Sequence, residues 1–116
     1  MSANIREIIE EEQHVQRHKA ALDALVRMRS KRLGESLEAR MRRAQDDGEG
    51  NHFSEEEWAV QHQEEKLSLQ SQLDRLRQEQ VLTKGQLAEL RRLKAQATRI
   101  RAAEVASERK RHRTNG

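Results

Sequence analysis

The sequence contains no proline, the residue that most reliably ends a helix, because its ring removes a backbone donor and clashes with the preceding turn. Long helices are therefore allowed almost anywhere along the 116 residues. Charged residues make up 37% of the chain and aromatic residues only 2%. Such a composition is too polar for a globular core and is typical of long amphipathic helices.

One clear helix start divides the chain. Ser54 fits an N-cap, and the Glu57 carboxylate can reach back to the Ser54 amide, which would complete a capping box. Phe53 and Trp58, the only aromatic residues, flank this cap at the spacing of a hydrophobic staple. Upstream, residues 46–51 contain two glycines and several turn-forming residues, which predict the end of a preceding helix.

These signals predict an all-α single domain in which two long helices form an antiparallel coiled-coil hairpin. The predicted parts are a helix over 5–46, a loop over 47–53, a helix over 54–111 and a basic tail over 112–116.

Apolar spacing predicts which side of each helix is buried. In the first helix an eleven-residue repeat, which predicts a nearly straight helix, is formed by Val15, Leu22, Val26, Leu33, Leu37 and Ala44. The stripe of the second helix consists of Trp58, Leu69, Leu73, Leu76, Leu87, Leu90 and Ala97. Polar Gln80, Thr83 and Lys84 interrupt this stripe, and Gly85 follows, so we expect the helix to be loosest there.

Charge favours the antiparallel pairing of the two helices. Residues 1–16 are acidic and 27–43 basic, whereas 51–83 are acidic and 84–116 basic. Folding the chain back near residue 50 sets opposite charges beside each other, and a parallel pair would stack like charges. A hairpin without a second layer is marginally stable, so we expect protein partners or self-association to complete it.

No residue pattern predicts an enzyme, a cofactor or a metal site. The chain lacks cysteine, a glycine-rich phosphate loop and a nucleophile motif. His14 and His18 have the spacing of two zinc ligands on a helix, but no acidic or third histidine ligand is arranged beside them, so we interpret them as solvated side chains. No apolar run is long enough to span a membrane, so we expect no membrane insertion and a cytoplasmic location.

Two groups of residues are candidates for binding a partner. Lys110 and Arg111 lie in the strongest basic cluster, residues 108–113, which suits an acidic protein surface, a nucleic acid or an acidic lipid, or is a solvated helix end. The off-stripe aliphatic residues Val60, Leu67 and Leu82 either line a partner groove or are ordinary exposed side chains.

The chain resembles the FliJ/YscO family of stalk proteins of type III secretion and flagellar export. The likeness rests on its architecture, on the opening segment Ile5-Arg6-Glu7-Ile8-Ile9, and on the closing basic helix. The resemblance implies a coiled coil that enters the central hole of a hexameric export ATPase and contacts the export gate and secretion chaperones. By position, it implies a partner-binding role for Arg91, Arg92, Arg99, Arg101 and Arg109.

The expected function is therefore that of a non-enzymatic stalk or adaptor of a bacterial export apparatus. One alternative is a basic coiled-coil protein that binds nucleic acid or has an architectural role. This alternative is disfavoured because the chain has no tyrosine, its two aromatic residues are committed to the staple, and its basic segments lie at opposite ends of the hairpin. Another alternative is a helical subunit of a different large assembly.

Overall fold

The computed structural model describes residues 4–48 and 53–115, and these residues form three α-helices and no strand. Helix α1 is Ile5–Leu33, α2 is Leu37–Asp46 and α3 is Glu55–Asn115. The predicted all-α class is confirmed. The predicted second helix is also found, and it continues to Asn115 instead of ending at residue 111.

The predicted single helix over 5–46 is wrong, because the chain leaves the helical conformation between Leu33 and Leu37. Ser36 has an extended backbone, with φ −73° and ψ 162°, and its hydroxyl accepts a hydrogen bond from the Ala39 amide at 3.1 Å. Ser36 thus caps α2 as a new helix. Gly34 has the weakest helix propensity after proline, so little opposes the interruption.

Helix α2 ends in a left-handed glycine. Gly48 has φ 73°, and its amide donates to the Gln45 carbonyl at 3.1 Å, while the Asp47 amide donates to Arg43 at 3.0 Å. These bonds satisfy carbonyls that the helix end leaves open. The predicted turn therefore begins where expected, and the rest of it, residues 49–52, lies outside the described residues.

The start of α3 follows the sequence signals closely. The Glu57 amide donates to the Ser54 hydroxyl at 3.2 Å, and the Phe53 and Trp58 rings meet edge to face with centroids 5.4 Å apart. The N-cap and the staple are thus confirmed. The second half of the capping box differs, because the Glu57 carboxylate accepts from the Ser54 hydroxyl at 3.3 Å.

The helices form two compact units. The first combines the chain up to Ala20 with the chain from Val81 onward, and the second is Ala21–Gln80. Within the first unit, Ile8 and Val15 of α1 and Thr83 and Leu87 of α3 are buried. Lys94 donates to the Glu12 carboxylate at 3.3 Å beside them.

All three helices contribute to the core of the second unit. Its buried residues are Leu22, Ala44, Trp58, Leu69 and Leu73, and Leu73 is 1% exposed. Two side-chain bonds join α1 to α3 here: Gln80 donates to Asp23 at 2.8 Å, and Arg29 donates to Gln72 at 2.6 Å. Residue numbers in α3 fall as those in α1 rise.

The predicted stripe residues of α1, Val15, Leu22, Val26 and Leu33, are all buried or half-buried. They belong to a larger set of buried and half-buried positions that alternates steps of three and four: Ile5, Ile8, Glu12, Val15, Lys19, Leu22, Val26, Arg29 and Leu33. This is the spacing of a coiled-coil seam. The apolar pattern did not include Glu12, Lys19 and Arg29, because these seam residues are polar.

The predicted stripe of α3 is confirmed. Trp58, Leu69, Leu73 and Leu87 are buried, and Leu76, Leu90 and Ala97 are half-buried. Of the three interrupting polar residues, Thr83 is 3% exposed and Gln80 bonds Asp23, whereas Lys84 is exposed. The helix runs unbroken through Gly85.

Candidate interaction surfaces

An exposed basic side of α3 lies within the first unit. Residues 98–111 are all exposed, and seven of them lie along one side of the helix. We call this side the basic face, defined by Thr98, Arg101, Ala102, Val105, Ala106, Arg109 and Lys110. Because positions three and four apart are neighbours on a helix, the arginines border a strip of small apolar side chains.

The predicted partner-binding arginines do not share one side of the helix. Arg101 and Arg109 belong to the basic face, whereas Arg92 and Arg99 line a separate groove with Ala95 and Gln96. Arg99, Arg101 and Arg109 make no ion pair with any residue that the structure describes. The structure thus brings together only part of the predicted set.

Arg92 is already engaged on its own helix. Its guanidinium donates to the Glu89 carboxylate, with Nε and Oε2 3.1 Å apart, and this hydrogen bond lowers the pKa of Glu89 and raises the pKa of Arg92. The pair is solvent-exposed and contributes little stability. Arg91 beside it is exposed.

The predicted cluster residues Lys110 and Arg111 are also exposed on α3. Lys110 borders the basic face, and Arg111 is not part of its lining. Only one of these two residues therefore joins the predicted arginines on that side.

The off-stripe aliphatic residues are exposed, as the spacing predicts. Val60 and Leu67, in the second unit, are 56% and 55% exposed, and they lie seven residues apart on one side of α3. Leu82, in the first unit, is also exposed.

A charge cluster in the second unit was not predicted as a site. The Glu65 carboxylate forms an ion pair with Arg40 of α2 at 2.7 Å, and Arg43 and Arg32 approach it at 3.6 and 3.9 Å. The Arg40 guanidinium also lies 5.8 Å from the centroid of the Trp58 ring. The opposite charges of 27–43 and 51–83 indicated such pairing, but not the shared acceptor.

Arg43 of this cluster has a raised pKa, and Glu35 and His62 beside it have lowered pKa values. The hydrogen bond from Arg43, 3.0 Å away, lowers the pKa of the Glu35 carboxyl. Desolvation lowers the pKa of His62, and the nearby cations Lys66 and Arg40 add to the effect. These shifts favour ionised Glu35 and neutral His62.

Metal binding and membrane crossing find no support in the described part of the chain. His14 and His18 are exposed, and no three His, Asp or Glu side chains of residues 4–48 and 53–111 are grouped as metal ligands. Within the described ranges, no helix has an apolar stretch that would cross a bilayer.

The fold defines an all-α protein with exposed charged and apolar surfaces on a long third helix. No protein-family model, curated protein or solved structure matches the chain.

Proposed function

We propose that this chain is a non-enzymatic coiled-coil stalk or adaptor protein of a bacterial type III secretion or flagellar export apparatus. The observation that carries the proposal is the basic face, an exposed side of α3 on which Arg101 and Arg109 border Ala102, Val105 and Ala106. Its partner is a protein with an acidic surface, for which the export ATPase is the candidate.

The proposed architecture is an antiparallel hairpin in which α3 returns along α1 and α2. The order of contacts in the second unit supports it, since Asp23 meets Gln80 and Arg29 meets Gln72. In the first unit, Lys94 of α3 also donates to Glu12 of α1. In such a hairpin the last turns of α3 extend beyond the start of α1 and are available to a partner.

Electrostatic attraction is the proposed basis of recognition. Arg99, Arg101 and Arg109 are exposed, and a guanidinium forms paired hydrogen bonds with a carboxylate. An acidic wall around the end of α3 would therefore orient the helix and bind it more weakly as salt increases. Catalysis remains with the ATPase, and this chain supplies shape and charge.

Reversing the three arginines tests the proposal. Arg99→Glu, Arg101→Glu and Arg109→Glu together should abolish co-purification of the export ATPase and secretion activity, because attraction becomes repulsion. The helical circular dichroism should stay unchanged. The matched control reverses exposed arginines earlier in α3, Arg75→Glu and Arg77→Glu, and should keep the ATPase bound.

A truncation after Ala97 gives a second arm of the same experiment. Retention of secretion activity and of every partner by the truncated chain would overturn the assignment of function to the end of α3. Nuclease treatment of the lysate separates the other class of partner. Loss of all bound partners after digestion would show that the basic residues bind nucleic acid.

A further inference from the structure

The first turns of α3 carry an exposed surface that the proposed function does not use. Val60 and Leu67 are spaced by seven residues and are 56% and 55% exposed. Residues three or four positions away on the helix flank them. The flanking acidic residues are Glu56, Glu57 and Glu64, all exposed. We call these five residues the acidic stripe.

The basic face has the complementary design. Its centre consists of Ala102, Val105 and Ala106, which are small enough to admit larger side chains from a facing helix. Its borders are the exposed arginines Arg101 and Arg109. The acidic stripe offers large apolar side chains between carboxylates, and the basic face offers a shallow apolar strip between guanidiniums.

We propose that the acidic stripe of one chain docks on the basic face of a second copy of this chain. Val60 and Leu67 would lie beside Ala102, Val105 and Ala106, and the flanking glutamates would meet Arg101 and Arg109. Both surfaces occur in every chain, and the sign of charge on each is the one that the other attracts.

This contact is heterologous, because it joins two different surfaces. After two copies have docked, one copy has an unused acidic stripe and the other an unused basic face. Further copies can therefore add, and association does not stop at a closed dimer. The contact spans about three to four turns of helix, which places it below the roughly 1,200 Å² of a stable interface. Association is therefore weak and depends on concentration and salt.

Two charge-reversed variants test the proposal without altering the seam. The first carries Arg101→Glu and Arg109→Glu, and the second carries Glu56→Lys and Glu64→Lys. Sedimentation of the parent at low salt should show a mass that rises with concentration between about 10 µM and about 1 mM. Each variant alone should remain monomeric, because its two surfaces now carry like charge.

Mixing the two variants gives the decisive result. The acidic stripe of the first variant then faces the intact basic face of the second, so the equimolar mixture should regain association. Arg75→Glu with Arg77→Glu is the control, and it should associate like the parent. Circular dichroism verifies that every variant keeps its helix content.

Two outcomes would overturn the proposal. The first is a parent that stays monomeric over the whole concentration range at low salt. The second is a parent that associates while the mixture of variants does not, since that result would assign self-association to other residues. Capture of a different protein by the basic face, with no self-association, belongs to the first outcome.

Discussion

Gly85 and Gly48 have two different backbone conformations. Gly85 lies in the interior of α3, is exposed, and has nothing within 4 Å of the position that a Cβ would occupy. Gly48 also has open space around it, but its φ of 73° places it in the left-handed region. Space alone therefore does not decide whether alanine is tolerated.

Alanine should have opposite effects at these two glycines. Gly85→Ala should raise the free energy of unfolding by up to about 1 kcal/mol, because alanine costs less conformational entropy in a helix. Gly48→Ala should lower it by about 1 to 2 kcal/mol, because a Cβ is strained at positive φ. Urea denaturation of both variants measures the difference, and equal effects would contradict the left-handed cap.

Helix α2 is held to the rest of the second unit by charge more than by apolar burial. Its only buried residue is Ala44, whereas Arg40 and Arg43 both approach Glu65 of α3. Arg43 also binds Glu35, which precedes α2. A short helix of 10 residues would be marginal alone, so the ionisation states around it decide whether it stays docked.

His62 should make the second unit less stable in acid. Its pKa lies below the ordinary value of 6.5, so the unfolded chain takes up the proton first. The contribution of neutral His62 to the free energy of unfolding is complete above pH 6.5. It is lost as the pH falls through the pKa of His62 in the folded protein. Lys66 and Arg40 oppose protonation, while Glu65 and Glu35 favour it.

Replacing the imidazole tests this pH dependence. When the pH is lowered from 7.5 to 5.5, the melting temperature of His62→Gln should fall less than that of the parent. His14→Gln changes an exposed histidine of α1 and serves as the matched control. A parent and a His62→Gln variant with the same pH dependence would show that desolvation of His62 does not contribute.

Local sequence signals predicted where α3 begins, but they did not predict that the chain leaves the helical conformation before Ser36. Ser54, Phe53 and Trp58 act within a few residues of one another, so the sequence alone identified the start of α3. The interruption at Ser36 depends on whether its hydroxyl caps α2, and the cap is favoured by the contacts of Arg40 and Arg43. The contacts of Arg40 and Arg43 with Glu65 join residues distant in sequence.

Across the whole chain, the apolar pattern missed those contacts between helices that are made by polar residues. Arg29 and Gln72 meet at 2.6 Å, and Asp23 and Gln80 at 2.8 Å, so paired hydrogen bonds substitute for apolar contacts. Hydrophobicity gives no signal at such positions, although they specify the register of the helices. The predicted partner-binding arginines were identified by charge alone, which does not assign them to sides of the helix.

Spin labels test the proposed hairpin within one chain. The sequence has no cysteine, so Arg29→Cys and Gln72→Cys give two unique attachment sites. Helices packed side by side have axes about 8–10 Å apart, so the labels should broaden each other's spectra. Dilution with unlabelled protein should leave the broadening intact. Broadening that disappears on dilution would assign the contact to two different chains.

Trp58 is the only tryptophan of the chain, and it is 8% exposed beside Phe53 and Arg40. Its fluorescence therefore reports on the second unit alone, whereas far-ultraviolet circular dichroism averages over every helix. Recording both signals during denaturation measures cooperativity without any introduced probe. Coincident curves would mean that the two units unfold as one, and separated curves would give each unit its own stability.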